Sequence, residues 1–180
     1  MRYFRKAKPA DKEAVYSLFK LVQSALEDEG NFMWSKGYPD QSDFNGDIDN
    51  ERMYLVVEDG VIVASIAYST DPLSYFYGDS KDRKKLDSLL SRLELKSKDH
   101  ILIPERLMVH PSYRGRGIAT SLFRYLHEEF PTHDWLFAVF LNDANAIRLY
   151  EHLGYRNLGV HSEFEWGGQE NECVLFAKNF

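Results

Sequence analysis

Apolar positions recur along the chain with two periods, and the switches between them outline its elements. Residues 2–7 alternate and predict a first strand. Pro9 opens a helix, a position that suits proline, and Val15, Leu18, Phe19, Val22, Ala25 and Leu26 then return at helical spacing as far as Gly30. Residues 31–50 are rich in Gly, Asn and Asp and predict a loop with a short helix. Met53–Glu58 and Val61–Ser69 predict two strands joined at Asp59-Gly60, a dipeptide that accepts the positive φ of a tight hairpin. A loop over 70–80, with Pro72 and Gly78, precedes a helix from Lys81 to Leu95 that carries Leu86, Leu89, Leu90 and Leu93 on one face.

The second half repeats the alternation of periods. Ile101–Val109 predicts a central strand, Gly115–Phe130 an amphipathic helix, and Trp135–Leu141 a near-continuous apolar strand suited to a sheet interior. Asp143–Leu153 predicts a last helix stopped by Gly154, and strands Tyr155–His161 and Glu172–Lys178 flank a turn at Gly167-Gly168. With no repeat, low-complexity stretch or linker, the pattern predicts one α/β domain over residues 1–180.

Composition narrows the classes. Hydrophobic residues at 44% exclude disorder, and a net charge of −6 argues against nucleic acid as a partner, which calls for a basic face. The basic start, Met1 to Lys6, is too short for a signal peptide, and no apolar run approaches the ~20 residues of a membrane span. The single cysteine, Cys173, lies in an alternating segment and reads as a core residue. The expectation is a soluble cytoplasmic protein with neither nucleic acid nor membrane as partner, a monomer or homodimer.

Chemistry concentrates between Leu107 and Thr120, where an apolar run stops at a proline turn and Gly115 and Gly117 open a helix. Amides at a helix start lack intrahelical acceptors, and the helix dipole is positive there, so such a turn suits a phosphorylated ligand. Arg114 and Arg116 add positive charge. A Gly-x-Gly turn alone fits an ordinary connection equally well. Gly-x-x-x-x-Gly-Lys-Ser/Thr is absent, and Thr120 stands where the dinucleotide fingerprint needs a third small residue.

Arg114-Gly115-Arg116-Gly117-Ile118-Ala119 fits the Arg/Gln-x-x-Gly-x-Gly/Ala signature of the GNAT acyl-CoA N-acyltransferases, and the lead-in Val109-His110-Pro111 is also similar to that family. Beyond an intervening strand, Asn142 to Tyr155 resembles its Asn-x-x-Ala-x-x-Leu-Tyr-x-x-x-Gly-Phe/Tyr block. Counting back from Ala146, the family's asparagine falls on Asp143, between Asn142 and Asn145. The specific likeness covers roughly residues 101–160. Gly30-Asn31, Trp34 and Gly37-Tyr38-Pro39 resemble a bacterial branch of small acetyltransferases, without naming a substrate.

The resemblance implies a mostly antiparallel sheet, flanked by helices and splayed between its fourth and fifth strands, that takes acetyl-CoA as cosubstrate and needs no metal. It places the diphosphate on Arg114, Gly115, Arg116, Gly117, Ile118, Ala119 and Thr120, and pantetheine along Leu107, Met108 and Val109 as an added strand. Asn142 and Asn145 are further cofactor contacts. An amine would attack the acetyl thioester directly, with a backbone N–H near Val109 as oxyanion donor and Tyr150 as the acid for the departing thiolate. Tyr150 reads alternatively as an aromatic packed under the cofactor. Glu105 is the preferred base, against a solvated carboxylate or an ion pair with Arg106; His110, His161 and Glu163 are the other candidates.

For the acceptor, residues 27–51 carry Glu27, Asp28, Glu29, Asp40, Asp43, Asp47, Asp49 and Glu51 against Lys36, and Glu163, Glu165, Glu170 and Glu172 follow near the end. Acidic walls steer a cationic amine, although acidic loops are also ordinary solvated surface. Trp34, Tyr38, Tyr75, Phe76, Tyr77 and Trp166 could line a pocket or cover the core. The expected activity is acetyl transfer to a small cationic primary amine; the alternatives are a protein N-terminus or lysine, or a non-catalytic acyl-CoA-binding module.

Overall fold

A computed structural model of the chain describes residues 1–34, 37–72, 88, 91, 93, 100–166 and 169–179, with backbone alone over 160–166 and 169–171. The strands are β1 (Arg2–Lys6), β2 (Met53–Glu58), β3 (Val61–Ser69), β4 (Ile101–Val109), β5 (Asp134–Phe140), β6 (Arg156–Trp166) and β7 (Gln169–Lys178). The helices among the described residues are α1 (Lys12–Asp28), α2 (Gln41–Asp49), α3 (Ile118–Glu129) and α4 (Ala144–His152). Hydrogen-bonded strand order is β1-β2-β3-β4-β5-β7-β6. β4 and β5 run parallel, while β1–β2, β2–β3, β5–β7 and β6–β7 are antiparallel, which is the expected mixed α/β sheet. The chain forms two compact units, Met1–Tyr68 with Glu105–Glu129, and Ser69–Pro104 with Phe130–Phe180.

In the first unit, Met53, Leu55 and Val57 of β2 bury against Val15, Leu18, Phe19 and Val22 of α1 and Phe44 and Ile48 of α2. The intervening Tyr54 turns the other way, meeting the Tyr125 ring of α3 edge-on at 5.8 Å, and Phe4 of β1 stacks on the same ring at 5.1 Å. Helices on both faces leave β2 no solvent side, which explains its unbroken apolar run. Each Leu, Val or Phe fully buried here contributes about 1.5–3 kcal/mol relative to exposure. The β2–β3 turn follows the sequence: Asp59 and Gly60 have φ of 51° and 81°, the pair of positive values a type I′ turn requires.

Two helix starts have clear causes. Pro9–Asp11 forms a 3-10 turn before α1 begins at Lys12, a shift from the expected start at Pro9. The short helix expected within 31–50 is α2. Asp40 Oδ1 accepts from the amides of Ser42 and Asp43 at 2.6 and 3.2 Å, and Asp43 Oδ2 accepts from the Asp40 amide at 2.8 Å. This reciprocal capping box satisfies donors that a polar segment would otherwise expose.

In the second unit, β7 lies between β5 and β6, with Phe137 opposite Phe176. Phe137 meets Tyr150 of α4 at 4.6 Å and Tyr155 at 5.1 Å, both edge-on. α4 ends where Gly154 takes φ 77°, and Lys178 Nζ donates to the Leu153 carbonyl at 2.9 Å, satisfying one of the acceptors left at the helix end. β6 and β7 run longer than the expected 155–161 and 172–178. Alternation with charged residues such as Glu163, Glu165 and Glu170 hid their tips, which pair as Glu165↔Glu170. The Gly167-Gly168 turn, Tyr75, Phe76 and Tyr77 lie outside the described residues, as does most of the expected helix over Lys81–Leu95.

β4 is registered to β5 only at Ile101↔Asp134 and Leu102↔Trp135. Pro104 has no amide to donate, and Arg106 takes φ 50° within the strand. A missing donor followed by a left-handed residue interrupts a ladder. Registered pairing between the fourth and fifth strands is confined to those two pairs.

Candidate active site

The turn after β4 is built by backbone conformation. His110 extends the strand by donating its amide to Val63 O at 2.8 Å. Pro111–Tyr113 then makes a 3-10 turn, capped by His110 Nδ1, which accepts from the Ser112 amide at 3.2 Å. Gly115 and Gly117 follow at φ 73° and 68°, and a Cβ added at either would meet nothing within 4 Å. Left-handed geometry, not crowding, makes glycine the suitable residue here. It also delays the helix: α3 begins at Ile118, three residues beyond the expected Gly115.

Among the described residues, the amides from Gly115 to Thr120 have no backbone acceptor; the first that does is Ser121, which donates to Gly117 O at 2.9 Å. Ile118, Ala119 and Thr120 are the first turn of α3, where intrahelical acceptors do not exist. Both arginines already have partners. Arg114 Nη1 lies 2.5 Å from Glu29 Oε1, while Arg116 sits 4.8 Å over the Tyr113 ring and 4.0 Å from Glu58. Upstream, Met108 is fully buried in the cluster with α1 and α2, whereas Leu107 and Val109 are half-buried. Met108 therefore offers a ligand only its backbone. The unpartnered amides and open glycine turn fit a diphosphate.

Glu105 and Arg106 begin the same half of β4. Arg106 Nε and Nη2 donate to Asp47 Oδ2 and Oδ1 at 2.8 and 2.9 Å, and Nη1 donates to Glu105 Oε2 at 2.7 Å and to the Tyr38 hydroxyl. The Arg106, Asp47 and Glu105 side chains are only 10%, 4% and 14% exposed. Burial pushes the Glu105 carboxyl above the usual range, with Arg106 opposing. Asp47 shifts the same way for the same reasons. The ion pair with Arg106, one alternative reading of Glu105, is thus present. Asp47 and Tyr38 are members that the sequence offered only as one acid in an acidic stretch and one loop aromatic.

The three candidate residues of the block from Asn142 have different surroundings. Asp143 caps α4, its Oδ1 accepting from the Ala146 amide at 2.9 Å. Asn145 is exposed and accepts from Arg148 Nη2 at 2.6 Å, while Asn142 is exposed in the preceding turn. The family's asparagine position is therefore occupied here by a helix cap. Tyr150 is buried among Phe137, Tyr155 and Phe176, with ring centroids at 4.6, 5.9 and 5.6 Å. Burial raises its phenol well above the ordinary range, with a smaller contribution from Asp143, so it stays protonated at neutral pH. The side chains of His161, Glu163 and Trp166 lie outside the described residues.

Among the described residues, no group of three or more His, Cys, Asp or Glu could hold a metal ion, and no helix is long and apolar enough to cross a membrane.

Similar folds are known. A GNAT family acetyltransferase from Streptococcus agalactiae aligns over 99% of this chain and 95% of its own, at 19% identity and a TM-score of 0.78. A Salmonella typhimurium protein whose structure holds its cofactor acetyl-CoA aligns over 99% and 93%, at 15% identity and TM-score 0.66. The ribosomal-protein-S18-alanine N-acetyltransferase of Escherichia coli aligns over 99% and 94%, at 14% identity and TM-score 0.66. At such identities these likenesses establish the fold alone. No curated protein matches. The model of the Acetyltransferase (GNAT) family matches residues 16–155, a span that takes in both the glycine turn and the Asn142–Tyr155 block, and the chain belongs to that family.

Proposed function

We propose that this protein transfers the acetyl group of acetyl-CoA to the primary amine of a small cationic acceptor, by direct attack with both substrates bound. The observation that carries the reading is the run of amides from Gly115 to Thr120 without backbone acceptors, at the positive end of α3. Acetyl-CoA supplies an activated acetyl thioester. The amides bind its diphosphate, and Arg114 and Arg116 add charge on exchanging their carboxylate partners for phosphate. The backbone of Leu107, Met108 and Val109 holds the pantetheine arm, and the N–H near Val109 stabilises the oxyanion. Asn142, whose side chain is neither a cap nor paired to Arg148, is favoured over Asn145 as the amide contact.

Glu105 takes the amine proton, directly or through water, and Tyr150 donates one to the departing thiolate. Burial keeps the Tyr150 phenol protonated, as an acid requires. His110 is disfavoured as base because its Nδ1 caps the Pro111 turn. The family match from 16 to 155 includes segments of both compact units, which supports one catalytic domain. A cytoplasmic setting suits a chain with one buried, unpaired cysteine.

The test is a screen of polyamines, amino acids, aminoglycosides and peptides for thiol release from acetyl-CoA. Wild type is expected to turn over a cationic small amine. Tyr150→Phe is expected to lose about 10²-fold or more in kcat at unchanged acetyl-CoA affinity. Gly117→Glu, which puts a carboxylate among the amides, is expected to abolish that affinity by calorimetry. Turnover of peptides alone would move the acceptor to proteins; binding without turnover of any acceptor would leave an acyl-CoA-binding module.

A further inference from the structure

Neighbouring residues in a regular strand point to opposite faces, so Glu105 and Arg106 should not meet. They do meet, with Arg106 Nη1 2.7 Å from Glu105 Oε2. The cause is the left-handed Arg106, whose φ of 50° breaks the alternation. A non-glycine residue is sterically disfavoured in this region, where its Cβ crowds the following carbonyl oxygen. Surrounding contacts must hold it there.

Those contacts are specific. Asp47 takes Nε and Nη2 in a two-point fork, and the Tyr38 hydroxyl shares Nη1 with Glu105. An arginine fork is rigid and planar, so two fixed ends orient the third. Glu105 Oε2 is committed to Arg106, while Oε1 has no hydrogen-bond partner among the described residues.

We infer that Arg106 is a positioning residue for Glu105, clamped by Asp47 and Tyr38 so that one carboxylate oxygen is fixed and the other is left to take the proton. The inference rests on the proposed role of Glu105 as base. The charged and titratable groups around the carboxylate are Arg106 on β4, Asp47 on α2, Arg52 just before β2, and Tyr38 in the loop before α2, with Asp43 of α2 acting on Asp47 and Tyr38. Arg106 draws the carboxylate toward its charged form and Asp47 opposes it, the arginine being the larger of the two influences.

The experiment pairs pH–rate profiles of acetyl transfer with a ¹³C-glutamate NMR titration of the full chain, Glu105→Gln assigning the resonance. Asp47→Asn, which removes the like charge and leaves Arg106 one acceptor in place of two, is expected to move both the acid limb of kcat/KM and the Glu105 midpoint to lower pH and, by loosening the clamp, to lower kcat. Arg106→Gln combined with Asp47→Asn avoids stranding the buried Asp47 charge and, with Glu105 left without its cation, is expected to move both upward, by about one unit. Arg106→Lys keeps the charge but loses the fork, and is expected to lower kcat by about 10²-fold, the cost of misplacing a reacting group by about 1 Å, with the limb in place. Thermal melts accompany each variant, and the Asp47→Asn arm carries the test if the double variant fails to fold. An unmoved limb and midpoint in the folded variants would overturn the inference while leaving Glu105 as base. An acid limb that survives Glu105→Gln would remove the base, and the inference with it, even if the NMR midpoint still shifts.

Discussion

Single side chains in this protein act through the partner that holds them. Arg5 Nη1 and Nη2 reach Asp11 Oδ2 and Oδ1 at 2.7 and 2.8 Å, and Asp11 Oδ2 also accepts from the Lys8 amide at 2.7 Å. The Arg5 hydrogen bond holds the Asp11 carboxyl below the usual range, burial opposing it. A depressed folded value contributes stability above the unfolded pKa, about 3.9, and that contribution is lost as pH falls through the folded value. Wild type should therefore exceed Asp11→Asn by about 1 kcal/mol at neutral pH, with the gap in thermal melts closing below about pH 4. Equal pH dependence in both proteins would show the pair to be energetically silent. Glu105 shows the same dependence on neighbours with the opposite sign: its carboxyl is buried deeply enough that Arg106 does not cancel the cost, so its shift is upward.

Among elements, the end of α1 and the glycine turn before α3 are linked by one ion pair. α1 finishes in Glu27 and Asp28 with Glu29 as its cap, acids at the negative end of the helix dipole. Arg114 answers that charge through Glu29 at 2.5 Å. The proposed diphosphate site needs the same guanidinium, so phosphate and Glu29 compete for it. Glu29→Gln should tighten acetyl-CoA binding at low salt by up to about fivefold, the ~1 kcal/mol upper range of an exposed pair, with the gain fading as salt rises. Calorimetry at two ionic strengths checks this, and unchanged affinity at low salt would exclude the competition. Strand boundaries carry a similar lesson. β4 looks continuous in sequence, yet it holds Pro104 and a left-handed Arg106, and its registered pairing with β5 stops at Leu102. The proline was visible, but the left-handed arginine was not, because its conformation is held by Asp47, a residue distant in the chain.

For the whole molecule, a net charge of −6 means the field around it attracts cations. If the acceptor is a cationic amine, kcat/KM should fall as salt rises from 0.01 to 0.15 M, where the screening length shrinks from about 30 to about 8 Å, while kcat stays level. A flat salt dependence with the best acceptor would count against steering by the acidic surface. The sequence by itself determined the order and type of the described elements, the hairpin at Asp59-Gly60, and the glycine turn at Gly115 and Gly117. These follow from local causes, namely apolar period, turn conformation and orphaned amides, that neighbouring residues already contain. Tertiary structure decided which of several similar groups is spent and which is left. It made Asp143 a cap, tied Asn145 to Arg148, set His110 Nδ1 to capping the turn, and gave one Glu105 oxygen to Arg106. Those choices depend on burial and on partners far apart in the chain, such as Asp47 and Arg106, whose meeting no local pattern encodes.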